Sequence, residues 1–402
     1  MTPFDPKNIQ TGKPLPVGIY NSEGKRVFRK GFVINSQNSL KQILKMELFT
    51  LAEGVEEQIN LVSATGVYPV ELANALPADH EDTPVESKNT DIDVARFIEY
   101  AVRLSESICK CIATGAVNQK LRLESLIKSV LQMYAKNEDA CIAFAHFHFN
   151  FPMSAMHPVY TTLLCASMGS QLSKDRLRSL IGAALTANLG MYLNFDTLVN
   201  SNSPLSEEEF QILKEHPQKS YDLLKNNGIT DTVWLDAVLQ HHERSNGSGY
   251  PKKLTDVQIT LEAKIIAMVD TYLALTMPRA YRQPIMPKQA IQSLYQIATK
   301  ENNRVAVELI KQLGVYPPGS LVKLKNDEVA VVLKRNVTNR LAPMVASVFK
   351  TGQGLFDAPV IRDTGDRKYI ILDSHGAEIV KNLDLRGLWS DSKIHTVRLI
   401  RG

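Results

Sequence analysis

Several classes of protein are excluded by what the 402-residue chain does not contain. It has only four cysteines, Cys109, Cys111, Cys141 and Cys165, none in C-x-x-C spacing. All four fall in apolar, helix-like surroundings, which predicts reduced core thiols and a cytoplasmic protein. No run approaches the roughly 18 apolar residues of a membrane-spanning helix. The N-terminal residues lack a basic region followed by an apolar one, so no signal peptide is expected. Neither sign of charge dominates: the formal net charge is +4, with Lys and Arg scattered along the chain. That balance does not call for nucleic acid. Walker loop, Rossmann glycine pattern, nucleophile elbow and internal repeat are all missing. What remains, 44% hydrophobic and 22% charged residues, can build a sizeable core. The length predicts two or three domains.

The order of patterns predicts a multidomain chain. Its centre is an all-α helical domain, flanked by a small N-terminal α+β domain and a small C-terminal β domain. Residues 1–76 read as the mixed domain, with a hairpin around 21–24, a strand at 31–34 and a helix over 39–51. Residues 77–91 are acidic and proline-punctuated, a linker whose His80 is expected to be solvated. Residues 92–313 keep a 3.6-residue apolar period almost throughout. Within them Ser206 and Glu209 have the spacing of a capping box. Residues 314–402 break that pattern and predict a hairpin around Asn326 and Asp327, with strands at 345–349 and 369–372. The alternation of histidine with apolar residues from Phe144 to Phe149 reads as structural, and His375 and His395 stand isolated.

The chemistry is concentrated in one stretch, His241-His242-Glu243-Arg244-Ser245-Asn246-Gly247-Ser248-Gly249-Tyr250-Pro251. Imidazole is the commonest protein metal ligand, and glycines allow the chain to turn tightly beside the pair. This string resembles the signature of the HD-GYP family, bacterial metal-dependent phosphodiesterases that open cyclic di-GMP, with Asn246 where the family usually has Asp. The resemblance covers roughly residues 120–345.

The resemblance implies a metal site gathered from several helices: His157, His216, His241 and His242, with Asp270 as the last carboxylate ligand. It also places the family's His-Asp pair at Ala187 and Asn188, its phosphate-facing lysine at Met191, and a glutamate of three-metal members at Met153. Loss of a bridging carboxylate should impair two-metal hydrolysis. The expectation is therefore a degenerate HD-GYP signalling protein, inactive or weakly active, serving as a cyclic di-GMP receptor or protein-docking module. The alternative is a metal-dependent cyclic di-GMP phosphodiesterase with a reduced one-metal site. The cofactor is then none, or a single divalent Fe, Mn or Zn. Arg279, Arg282 and Tyr250 are the implied ligand-binding residues. Gly249-Tyr250-Pro251 is the implied docking loop for a diguanylate cyclase or another signalling protein.

Overall fold

The computed structural model describes residues 94–389 apart from 148–150, 170–171, 202–204, 279–283, 302 and 376–382. It also describes 398–399 and a few short stretches before residue 51. The chain divides into two units, Met1–Val85 and Glu86–Gly402.

In the first unit four short strands, β1 (Thr2–Pro3), β2 (Ile19–Tyr20), β3 (Arg26–Phe28) and β4 (Phe49–Thr50), pair in the order β1-β4-β2-β3. The predicted hairpin is present, with Ile19 opposite Phe28. The helix expected over 39–51 is corrected at its end: Phe49 and Thr50 pair with Pro3, Thr2 and Tyr20. An aromatic and a β-branched residue suit a pleated surface, and helical spacing alone did not register that preference. The strand expected at 31–34, the rest of that helix and the 77–91 linker with His80 lie outside the described residues, as does His395.

The second unit begins with helices. α1 (Val94–Ala113) buries Val94, Ile98, Ala101, Val102, Ile108 and Ile112, one stripe at helical period. α2 (Lys120–Lys136) and α3 (Glu138–Phe144) follow. α4 (Met153–Met168) is the central helix, with every residue from Ser154 to Met168 buried. Asp196 accepts from both the backbone amide and the hydroxyl of Ser154, satisfying the helix's first turn. α5 (Lys174–Thr186) packs Gly182 beneath Trp234, where a Cβ would sit 2.6 Å from the indole. A 3-10 turn (Leu189–Asn194) and α6 (Phe195–Val199) lead to α7 (Glu207–Asn226), which opens with the predicted Ser206/Glu209 capping box. Then come α8 (Thr232–Gln240), α9 (Leu261–Thr276), α10 (Pro287–Lys300) and α11 (Arg304–Leu313). Among the described residues no helix is long and apolar enough to cross a membrane.

Beyond Gly314 an antiparallel sheet forms from β5 (Leu321–Leu324), β6 (Glu328–Lys334), β7 (Met344–Lys350), β8 (Gly354–Asp363) and β9 (Ile371–Ser374). Its order is β8-β7-β6-β5-β9. The hairpin turns at Asn326 and Asp327, with Lys323 opposite Val329. β8 was not anticipated, because its exposed edge carries mixed polarity, and β9 starts two residues later than expected. Val331, Ala346 and Val348 join the helical core. Arg335 ties the sheet down: it donates to Asp139, to Glu138 and to the Gln312 carbonyl. His146 has the structural role expected of it, contacting the Pro318 carbonyl (2.8 Å) and the Tyr272 hydroxyl (2.7 Å) through its two ring nitrogens. All four cysteines are buried and free, and burial pushes the thiols of Cys109 and Cys141 up to about 12.

Candidate metal centre

The site begins with a missing amide. Pro217 lies inside α7 and has no N–H, so the Leu213 carbonyl one turn back loses its helical donor. His216 takes that place: its Nδ1–H donates to the Leu213 carbonyl at 2.7 Å. His241 stands at the C-cap of α8, where the last carbonyls have no amide within the helix. Its Nδ1–H donates to the Val238 carbonyl at 2.6 Å. Each bond fixes a tautomer, protonated at Nδ1 with the lone pair on Nε2.

Those two lone pairs face each other, His216 Nε2 to His241 Nε2, at 3.2 Å. Two acceptors this close, both buried, repel unless a positive centre lies between them. Two nitrogens on one tetrahedral zinc stand about 3.3 Å apart, given bonds of about 2.0–2.1 Å. His242 completes the group: one ring nitrogen from each of His216, His241 and His242 lies within 4.8 Å of the others. Burial, and then the neighbouring imidazoles, hold His216 well below the usual histidine value. Burial lowers His241 as well, and burial with His241 pushes His242 down to about 3. All three are therefore neutral nitrogen donors at neutral pH. This donor set suits a borderline divalent ion such as Zn²⁺ or Fe²⁺.

His157 and Asp270 form a second pair beside the first group, His157 Nε2 to Asp270 Oδ1 at 3.0 Å. Burial works to raise the Asp270 carboxyl, but the His157 hydrogen bond and the nearby imidazoles outweigh it and hold the group below the usual aspartate range. Its charge is felt by His216, His241 and His242 alike. The flank of His157 is apolar. Phe195 lies 5.2 Å from its imidazole, and Phe195 belongs to a small cluster with Met191 and Leu198, against which Met153 packs.

Ala187 is buried, and the chain from Ala187 to Gly190 is pressed onto α7. Ser220 donates to the Ala187 carbonyl and accepts from the Gly190 amide, and a Cβ at Gly190 would sit 2.4 Å from the His216 carbonyl. Asn188, half-buried, stands at the N-cap position of the 3-10 turn without a side-chain capping bond. Tyr250 stacks on His242, with ring centroids 4.9 Å apart and planes 21° apart. Arg279 and Arg282 lie outside the described residues. Sequence reading passed over Glu243 as a working residue; its place directly after two histidines was the available signal. Its carboxylate accepts from the amides of Lys252 and Leu254.

Comparison with known proteins agrees with this helical frame. A family model described as "HD domain" matches residues 123–302. A cyclic di-GMP phosphodiesterase of Pseudomonas aeruginosa is 25% identical over 80% of this chain and 78% of its own length. The cyclic di-GMP phosphodiesterase PdeB of Borreliella burgdorferi is 26% identical over 56% of this chain and 62% of its own length. A solved structure described as an HDGYP protein of Bdellovibrio bacteriovorus covers 77% of this chain and 97% of its own, at 14% identity and a TM-score of 0.47. Residues 123–302, which hold the histidine cluster, thus match the HD-domain family, and the chain is similar to proteins named cyclic di-GMP phosphodiesterases.

Proposed function

We propose that this protein is a metal-dependent cyclic di-GMP phosphodiesterase working through a reduced site. One divalent ion, Fe, Mn or Zn, would be held by His216, His241 and His242. The observation that carries this reading is the pair of buried Nε2 lone pairs facing each other at 3.2 Å. When bound, such an ion would supply Lewis-acid polarisation of the phosphodiester. The protein's own part is to hold three neutral imidazoles in place, to keep Asp270 ionised beside them through His157, and to wall one side with Tyr250. The relatives named as cyclic di-GMP phosphodiesterases support the substrate class.

A second reading, a cyclic di-GMP receptor or docking module without turnover, is favoured by one observation. Ala187 and Met191 are buried without donor oxygens, and Asn188 offers only a neutral amide. On this reading the site is degenerate at the family's His-Asp pair, and Gly249-Tyr250-Pro251 would present a diguanylate cyclase or other signalling partner with its docking loop.

The deciding experiment incubates iron- or manganese-loaded protein with cyclic di-GMP, with metal content measured on the same sample. Linear dinucleotide or GMP, formed with close to one ion per chain and abolished by His241→Ala, supports the enzyme. Binding by calorimetry without product supports the receptor, and weaker binding by Arg279→Ala would place that arginine on the ligand.

A further inference from the structure

We propose that Glu243 is a positioning residue that fixes His242, the one histidine of the cluster with no backbone anchor; this rests on the single-ion reading above. His216 and His241 are each oriented by an Nδ1–H bond to a carbonyl. Among the described residues His242 makes no such bond through either ring nitrogen, so its ring is oriented by packing. The packing partner is Tyr250, stacked at 4.9 Å.

Tyr250 is carried by the loop 244–254, and Glu243 closes that loop. The residue is 6% exposed, and its two carboxylate oxygens accept from the amides of Lys252 (2.6 Å) and Leu254 (2.9 Å). Charge-assisted bonds from a carboxylate to backbone amides are among the stronger ones. They draw the far arm of the loop back onto the residue that follows His242. Gly249 allows the fold-back, since a Cβ there would lie 2.4 Å from the Glu243 Cα and from the Arg244 amide nitrogen. The Tyr250 amide, donating to the His242 carbonyl at 3.2 Å, completes the return. The chain of restraint therefore runs from Glu243 to the loop, from the loop to Tyr250, and from Tyr250 to the third nitrogen donor.

The test uses the full chain with ¹⁵N-labelled histidine, first metal-free and then titrated with Co²⁺. In the metal-free wild type the His242 ring protons carry the ring-current shift of a stacked tyrosine. Glu243→Gln, which can accept only one of the two amides, is expected to lose that shift and to weaken Co²⁺ binding 10–100-fold, while His146 signals and far-ultraviolet circular dichroism stay unchanged. Tyr250→Phe should keep both properties, and Tyr250→Leu, which leaves the clamp intact, should lose both. Wild-type His242 signals in a folded Glu243→Gln variant, or unchanged Co²⁺ affinity once the shift is lost, overturn the proposal. Should Glu243→Gln not fold, wild-type behaviour of Tyr250→Leu overturns it equally. A wild type that takes up no Co²⁺ defeats the single-ion reading, yet the metal-free His242 signals still decide whether Glu243 sets that ring.

Discussion

The two halves of the site are built on opposite principles. On one side, His216, His241 and His242 bring neutral nitrogens together, two of them anchored by carbonyls that helix geometry leaves without partners. On the other, His157 is committed to Asp270 and backed by Phe195, with Met153 and Met191 packed into the same apolar cluster. The first half has free lone pairs at the spacing of a metal. The second half has a hydrogen-bonded pair and a greasy wall. The difference teaches that one helical frame can carry a lone-pair-bearing polar lining and an apolar wall side by side. An apolar filler such as methionine adapts to irregular gaps and satisfies the core without any ligand.

Four measurements break or sharpen that contrast. The largest effect is expected for His241→Ala, which removes one of the facing lone pairs: metal content should fall from about one ion per chain to near none, and turnover with it. Retention of the ion would show that the three-histidine half is not the site. Next, Met191→Lys would place an ammonium in the apolar cluster, with an expected cost of about 3 kcal/mol in chemical denaturation. An unchanged midpoint would mean that the second half is wetter than its packing indicates. His157→Ala should be milder toward the metal, since His157 is bound to Asp270 and is not one of the three grouped nitrogens; ion content should hold while turnover drops.

The smallest effect is in pH dependence, read on chelator-treated protein. The cluster histidines are held below the ordinary value of 6.5, so the folded chain refuses protons that the unfolded chain accepts. Stability from this half is complete above about pH 6.5 and is lost as pH falls below it. Asp270 is held below 3.8, so the other half keeps its contribution down to about that pH and loses it only in stronger acid. His241→Ala should flatten the upper limb alone. A melting profile with a single limb below pH 4 would contradict the assignment of buried neutral histidines.

Much of the frame was legible in the residues. The apolar period marked α1, α2, α4 and α9, the Ser206 and Glu209 pair marked the start of α7, and Asn326 with Asp327 marked the hairpin. The family resemblance brought out His216, His241 and His242, which the structure gathers into one cluster. The strand at Phe49–Thr50 and the strand β8 were not legible, because the first is only two residues long and the second, at the sheet edge, carries mixed polarity, so each depends on which partner strand is near.

The sequence by itself determined what is local. Pro217 after His216 frees a carbonyl four residues back, and the Gly-x-Gly-Tyr-Pro run returns the chain toward His242, whatever the rest of the fold does. Tertiary structure alone decided what is convergent. His216 and His241 lie 25 residues apart yet meet at their Nε2 atoms, and Met153 and Met191 enter one apolar cluster from different elements. Hydrogen bonds within a turn follow from spacing along the chain, whereas the meeting of distant side chains follows from how helices pack, and no one segment carries that information.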